Sequence, residues 1–415
     1  MTPSLPAEPS PEGQQSGPKR NRPGRVLIIV ENVPVGMDNR VSKQVEALLQ
    51  NGYHVRVITR RDSTNDAYRR VTGLRLFEYP SPPEPTNLFG YLLEYGYSFL
   101  MATFLSMRIL VRERIDVVQF CQPPDVYFLL APIFRRAGVR VVVDQRDLLS
   151  ELYVARYGQA NRGLLRAFSM LEKLSQRSAD HVLCVNRYLQ ERALAASGLP
   201  ADKVTVVRNG PVLARVAASR GDEAFKDGRR HLSCWVGQMG RQDRLDLLVR
   251  SLHHVVHRLR RTDCRFVVIG DGESLAEVQS LAHELGLGDW VHFTGFLPQE
   301  VVYRYLATAD LGLDASLQFE VSPVKAMEYM AFGLPFVAFD LPETRAIADG
   351  AAAFAQPGDI DDHARNIDAL LADPEHRQAL GRIGRLRVRE ELAWEHQEVT
   401  YIGVVDRLRR RQASR

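Results

Sequence analysis

Three residues carry the clearest chemical potential in this chain: Glu320, Lys325 and Glu328, within "EVSPVKAMEYMAFGLPFVAFD", residues 320–340. Ser322-Pro323 predicts a helix start, with a hydroxyl for the N-cap and proline at the first helical position. Gly333, with Pro335 behind it, predicts the stop. Lys325 and Glu328 are three positions apart and so share a helix face. A helix start offers free N–H groups and a partial positive charge to an anion, and Lys325 adds a full charge one turn in. That combination suits a diphosphate. Glu328, further along the same face, can accept hydrogen bonds from vicinal hydroxyls such as those of a ribose. Glu320, on the other side of the phosphate, can hold the hydroxyls of a second sugar. A plainer account also fits: Lys325 and Glu328 as an ordinary i, i+3 ion pair, with Glu320 capping the helix.

Side chains so placed need a scaffold. From Arg25, short apolar runs alternate with amphipathic segments. Strands are predicted at 25–30, 53–59, 74–79, 116–120, 140–144 and 180–185, with a helix at 40–52 closed by Gly52. A second series begins near His231, with strands at 232–237, 265–270, 291–295, 311–315 and 335–339. Helices fall between them near 245–260, 274–285, 299–308 and 323–332. Strand, helix, strand at this spacing implies parallel sheets with crossover helices. The expected fold is α/β: two doubly wound, Rossmann-like domains facing across a cleft, with ligands at the carboxyl ends of the strands. The expected boundaries are a disordered tail at 1–24, a first domain at 25–207 and a second at 208–392. A last helix, about 393–412, crosses back to the first domain, and Asn209-Gly210-Pro211 reads as the hinge turn.

Composition narrows the class. The chain has 415 residues, 45% hydrophobic and 25% charged, which is ordinary for globular protein and long enough for two cores. Cys121, Cys184, Cys234 and Cys264 lie far apart, so neither a disulfide framework nor a zinc site is expected, and a reducing compartment fits. His231, His292 and His396 have no companion at metal-ligand spacing, so no metal is expected. No apolar run is long enough to span a bilayer; residues 91–111 read as an amphipathic, mostly buried helix. The net charge is +4, with five arginines and no acid from Arg407 onward. A basic end on a near-neutral body argues against nucleic acid as a partner and allows an anionic membrane surface. "GDGES" (270–274) reads as a tight strand-to-helix turn rather than a phosphate loop. Asp38 and Arg40 read either as a local pair or cap, or as groups facing the cleft.

The stretch from Glu320 resembles the motif of glycosyltransferase family 4: a glutamate, seven residues, a second glutamate, then a small apolar run with Gly-x-Pro. "RVSKQVEALLQNGYHVRVIT", "DVVQFCQPPDVYFLLAP", "VVVDQRDLLSELY", "WVGQMGRQDRLDLLVRSL" and "VHFTGFLPQEVVYRYLATADLGL" are similar to further segments of that family. The likeness covers roughly residues 25 to 410. It implies a GT-B fold and a metal-independent, retaining transferase with no cofactor, a nucleotide-diphospho-sugar serving as co-substrate. By resemblance Glu320 meets the donor sugar, Glu328 the ribose, and Gly295, Phe296 and Leu297 the base. The loop "GQMGRQDR", with Arg241 and Arg244, is where the diphosphate is held. Lys325, Ser322 and Gly36 complete the expected donor site, and Arg146 joins Glu320 as a catalytic position. The expected acceptor is a glycan, a lipid-linked saccharide or a small molecule, and the expected location is cytoplasmic, peripheral at the inner face of the membrane if the acceptor is lipid-linked.

Three departures bear on mechanism. Arg146 stands where the family carries histidine; an arginine cannot act as a base but can hold a phosphate or an acidic sugar. Gln238 replaces the first basic residue of the phosphate loop. Gly36 is single where many members have a glycine pair. A catalytically degenerate GT-B protein, acting as a nucleotide-sugar-binding or partner subunit, is the alternative these raise.

Overall fold

The computed structural model describes residues 22–31, 33–82, 88–157, 161–318 and 322–413. The predicted tail as far as residue 21, and Glu320, lie outside the described residues.

The first sheet contains β1 (Arg25–Ile29), β2 (His54–Arg60), β3 (Leu74–Tyr79), β4 (Val117–Gln122), β5 (Arg140–Gln145), β6 (His181–Cys184) and β7 (Val204–Val206). Its order is β3-β2-β1-β4-β5-β6-β7, and each neighbouring pair is parallel. Between strands run α1 (Asn39–Gln50), α2 (Leu88–Arg112), α3 (Ala131–Arg136), α4 (Leu149–Tyr157), α5 (Arg162–Arg177) and α6 (Arg187–Ser197). Helices cover both faces, which is why strands such as VVQFCQ of β4 are buried at every position. Leu27 and Ile29 of β1 point toward α2 and α3. Val26 and Ile28 point the opposite way, toward α1.

After α7 (Leu213–Ala218) comes the second sheet: β8 (His231–Val236), β9 (Cys264–Ile269), β10 (Val291–Gly295), β11 (Leu311–Leu313), β12 (Phe336–Phe339) and β13 (Ala352–Ala355). Its order is β10-β9-β8-β11-β12-β13, also parallel. Its helices are α8 (Leu245–His253), α9 (Leu275–Glu284), α10 (Gln299–Thr308), α11 (Val324–Phe332), α12 (Pro342–Ala348), α13 (Ile360–Ala372) and α14 (Pro374–Arg387). Both sheets reverse strand order beside their first strand, the place where doubly wound folds take ligands.

The last helix, α15 (Trp394–Ala413), returns to the first domain. Tyr401, Val404, Val405 and Leu408 pack with Val26, Ile28 and Val45. The chain therefore crosses between domains twice, and the crossings are stitched together. Trp394 N donates to Pro211 O at 2.9 Å, and Arg208 N donates to Gln397 Oε1 at 2.9 Å. A methyl placed on Gly210 would lie 1.8 Å from Leu392 O, so glycine is required by close approach of the two backbones. The four cysteines are separate, buried thiols.

Candidate active site

Helix α11 is set by one aromatic residue. Tyr329 lies over Gly312, where any side chain would meet its ring at 2.4 Å. Its hydroxyl donates to Leu313 O at 3.0 Å and accepts from Val236 N at 3.1 Å. The helix is thereby pinned to β8 and β11 at their carboxyl ends. Gly333 closes it in the left-handed conformation, φ +69°, with Leu334 N donating to Tyr329 O at 2.9 Å.

The start of α11 differs from expectation. Ser322 does not cap it. Pro323 takes φ −77° and ψ 73°, and Val324 N donates to Ser322 O at 2.8 Å. That is an inverse γ-turn. It delays the helix by one residue and leaves the buried Ser322 hydroxyl without a hydrogen-bond partner among the described residues. Among the described residues no side chain caps the helix.

Lys325 and Glu328 share a face yet do not pair with one another among the described residues. Lys325 Nζ donates to Asp243 Oδ1 at 3.0 Å and to Asp314 Oδ1 at 3.3 Å, and lies 4.5 Å over the Trp235 ring. Burial pulls its pKa down, but the two carboxylates outweigh burial and hold it above the ordinary lysine value. Asp243 belongs to the loop after β8, so the lysine delivers from α11 a cation to the loop that lacks one at Gln238. Glu328 receives a long hydrogen bond from Tyr303 OH, 3.4 Å. Burial pushes its pKa up to about 7, against the pull of Lys43 on α1 in the other domain and of Tyr303.

The floor of this half is glycine-packed backbone. A methyl on Gly270 would lie 1.8 Å from Gly237 O, and one on Gly272 2.6 Å from Met239 O, both at positive φ. Met239 N donates to Asp271 O at 2.9 Å and Ser274 N to Met239 O at 3.0 Å. "GDGES" is thus a turn locked against the loop after β8. Arg244 is turned onto Asp246 in a two-point pair at 2.9 Å. Arg241 is exposed, with no ion-pair partner among the described residues. Gly295 has φ +70° and open space beyond its Cα; Phe296 beside it is 65% exposed, and Leu297 is half-buried against the core.

On the first domain, Asp38 is the N-cap of α1, its Oδ1 accepting from Arg40 N at 3.0 Å and Val41 N at 2.9 Å. Its other oxygen takes Arg146 Nη1. Arg40 does not pair with Asp38; it grips the fully buried Asp144 at 2.7 and 2.9 Å. Burial pushes Asp144 up, but Arg40 and Arg146 hold it below the usual carboxylate range. Arg146 keeps Nη2 buried with no acceptor among the described residues. Gly36 faces its own chain: a methyl there would meet Thr64 O at 2.1 Å, and its N–H donates to Asn65 Oδ1 at 3.1 Å.

Two titratable groups were missed by sequence reading. Glu31 follows β1 at the switch point, buried, with Tyr127 OH donating to it. Burial raises it to about 7, against the pull of the Tyr127 hydroxyl. An acid directly after a strand's carboxyl end was the available signal. Lys43 looked like any polar-face lysine of α1, and nothing local marked it. Among the described residues, no group of three or more His, Cys, Asp or Glu side chains is arranged to hold a metal.

Comparison with known proteins decides the family. Residues 35–210 match the family model described as glycosyl transferase 4-like domain, and residues 220–387 match glycosyl transferases group 1. The chain is a family 4 type glycosyltransferase. Such an enzyme moves a sugar from a nucleotide-sugar donor to an acceptor. Among its relatives is a GDP-mannose-dependent α-(1-6)-phosphatidylinositol monomannoside mannosyltransferase of Mycolicibacterium smegmatis. The two are 28% identical over 281 residues, 64% of this chain and 70% of that one. The sucrose-phosphate synthase structure from Thermosynechococcus elongatus superposes with a TM-score of 0.72 at 20% identity, covering 93% of this glycosyltransferase and 99% of that chain. HepE of Anabaena, solved with UDP and glucose, superposes with a TM-score of 0.72 at 14% identity over 92% and 99% of the two chains. The structural likenesses establish the GT-B fold of two Rossmann-like domains.

Proposed function

We propose that this glycosyltransferase binds a nucleoside diphosphate sugar in the opening between its domains and transfers the sugar with retention, with no resident metal. The ribose hydroxyls donate to Glu328, the base lies by Gly295 and Phe296, and the diphosphate sits over the uncapped start of α11 near Lys325 and Arg241. Glu320 and Arg146 act at the donor sugar. The observation that carries this reading is Glu328: it lies between the domains, and no ion pair within 4.0 Å claims its carboxylate among the described residues. Cleavage builds negative charge on the leaving phosphate, and a fixed cation with free N–H groups stabilises it in place. The retaining outcome rests on the family resemblance. The acceptor is a glycan, a lipid-linked saccharide or a small hydroxylated molecule; for a lipid-linked acceptor, the exposed face of α2 docks at an anionic membrane.

A thermal-shift series with UDP, GDP, ADP and their sugars tests the donor reading. One series should raise Tm, and Glu328→Gln should remove most of that rise. Indifference of the wild type to all three would end the proposal. A second reading, a catalytically degenerate subunit, is favoured by Arg146 in the histidine position and by Lys325 being already matched by two acids. It requires donor stabilisation without acceptor-dependent release of nucleoside diphosphate.

A further inference from the structure

From the first domain, Lys43 meets both crossings. It is 6% exposed. Its Nζ donates to Gly210 O of the first crossing at 2.7 Å and lies 5.2 Å over the Trp394 ring of the second. Across the interface it faces Glu328, its strongest charged neighbour; Asp38 attracts it more weakly, and Arg40 and Arg215 repel it. Lys43 is likewise the charged group that acts most on Glu328, with Tyr303 donating from α10. The two charges do not touch: no ion pair within 4.0 Å joins them among the described residues, so the carboxylate oxygens are not consumed by the lysine.

We propose that Lys43 is a positioning residue for the donor: a counter-cation, anchored on the hinge carbonyl of Gly210, that keeps Glu328 a carboxylate able to accept the ribose hydroxyls. This rests on the assignment of Glu328 to the ribose. Burial favours the neutral acid, and a protonated Glu328 offers one acceptor fewer. A buried cation held by a carbonyl and an aromatic face opposes that. Because the same cation grips the hinge, donor occupancy and hinge geometry share one group. A hydroxyl donating to Glu328 favours the ionised acid, which favours ionised Lys43 and its bond to Gly210.

The sign follows from the two groups. Burial raises Glu328 to about 7 and lowers Lys43 to about 7. Acidification below about 7 therefore protonates Glu328 while Lys43 stays charged, and donor affinity falls as pH falls through that range; above about 7 Lys43 sheds its own proton, so its charge supports the carboxylate only near and below that pH. Without Lys43 the acid is raised further, and the same fall begins at higher pH.

The test is titration calorimetry of the full chain from pH 6 to 9 with whichever of UDP, GDP or ADP gives the largest thermal shift. Wild type should lose affinity below about pH 7. Lys43→Met should move that midpoint up by about one pH unit or more, the size of a removed neighbouring charge, and Lys43→Arg should restore it. If Lys43→Met does not fold, Lys43→Gln serves the same comparison. A Lys43 variant whose curve keeps the wild-type midpoint, however much weaker, overturns the proposal, since a merely structural lysine would lower affinity equally at every pH. A wild-type affinity flat across the range overturns it too. Glu328→Gln separates the two readings: if it binds the nucleotide as tightly as wild type, the ribose assignment itself fails. If it binds weakly while the Lys43 variants keep the midpoint, the role of Lys43 alone fails.

Discussion

Asp243 and Lys325 are 3.0 Å apart but lie on separate elements, the loop after β8 and helix α11. An acid in the loop assigned to the diphosphate works against an anion, and a lysine engaged by two carboxylates has less charge to offer. Ligand and Asp243 therefore compete for one cation. Replacing the acid by its neutral isostere should shift that competition: Asp243→Asn should tighten binding of the nucleoside diphosphate by about tenfold, or ~1.4 kcal/mol, read by titration calorimetry. Lys325 keeps Asp314, so its cation stays paired and buried. Unchanged affinity would mean that Lys325 is a structural counter-ion to Asp314 and plays no part in holding phosphate.

At the scale of elements, the two crossings behave as one hinge because Gly210 lets the backbones touch. A methyl there must push against Leu392 O. Gly210→Ala should cost about 1–3 kcal/mol, the range for overpacking, seen as a fall in Tm. It should also slow turnover and, because Lys43 is anchored on Gly210 O, weaken nucleoside diphosphate binding. An unchanged Tm would show that the crossings slide freely. Asn209-Gly210-Pro211, at the first crossing, was legible as a turn from its residue types alone. Its partners were not, because Leu392 and Lys43 are remote in sequence and periodicity reports only local faces. The same limit hid the site's electrostatics: the helix of Lys325 and Glu328 was legible from its apolar run and Gly333, but Asp243 lies 82 residues away. Most strands were legible as apolar runs. β7 was not, being three residues long, and neither was β13, whose AAFA has weak strand preference. Ser322 misled because the general rule for Ser-Pro was overridden by a γ-turn at Pro323.

The whole molecule constrains where a membrane can lie. No helix among the described residues is long and apolar enough to cross one. Two segments could meet a membrane surface, residues 91–111 and the arginines from 407, and the fold puts them on opposite faces of the first sheet. α2 packs on the side of Leu27 and Ile29, whereas α15 packs on the side of Val26 and Ile28. One flat bilayer cannot meet both. α2 has the stronger claim, since Leu93, Leu100, Phe104 and Val111 are all exposed on it. Arg108 and Arg112 are exposed at its far end, while Glu113 is turned inward onto Arg56 at 2.7 Å. The result is an apolar stripe beside two arginines with no ion-pair partner among the described residues, the pairing that suits an interfacial helix on anionic lipid. Full-length protein should pellet with phosphatidylglycerol-containing vesicles at low salt and much less at high salt, where surface charges are screened. Phe104→Glu should abolish pelleting, and Arg407→Glu should leave it intact. If Arg407→Glu releases the protein while Phe104→Glu does not, the membrane lies on the α15 side and α2 serves another purpose. Pelleting by neither vesicle nor salt condition would leave the acceptor a soluble one.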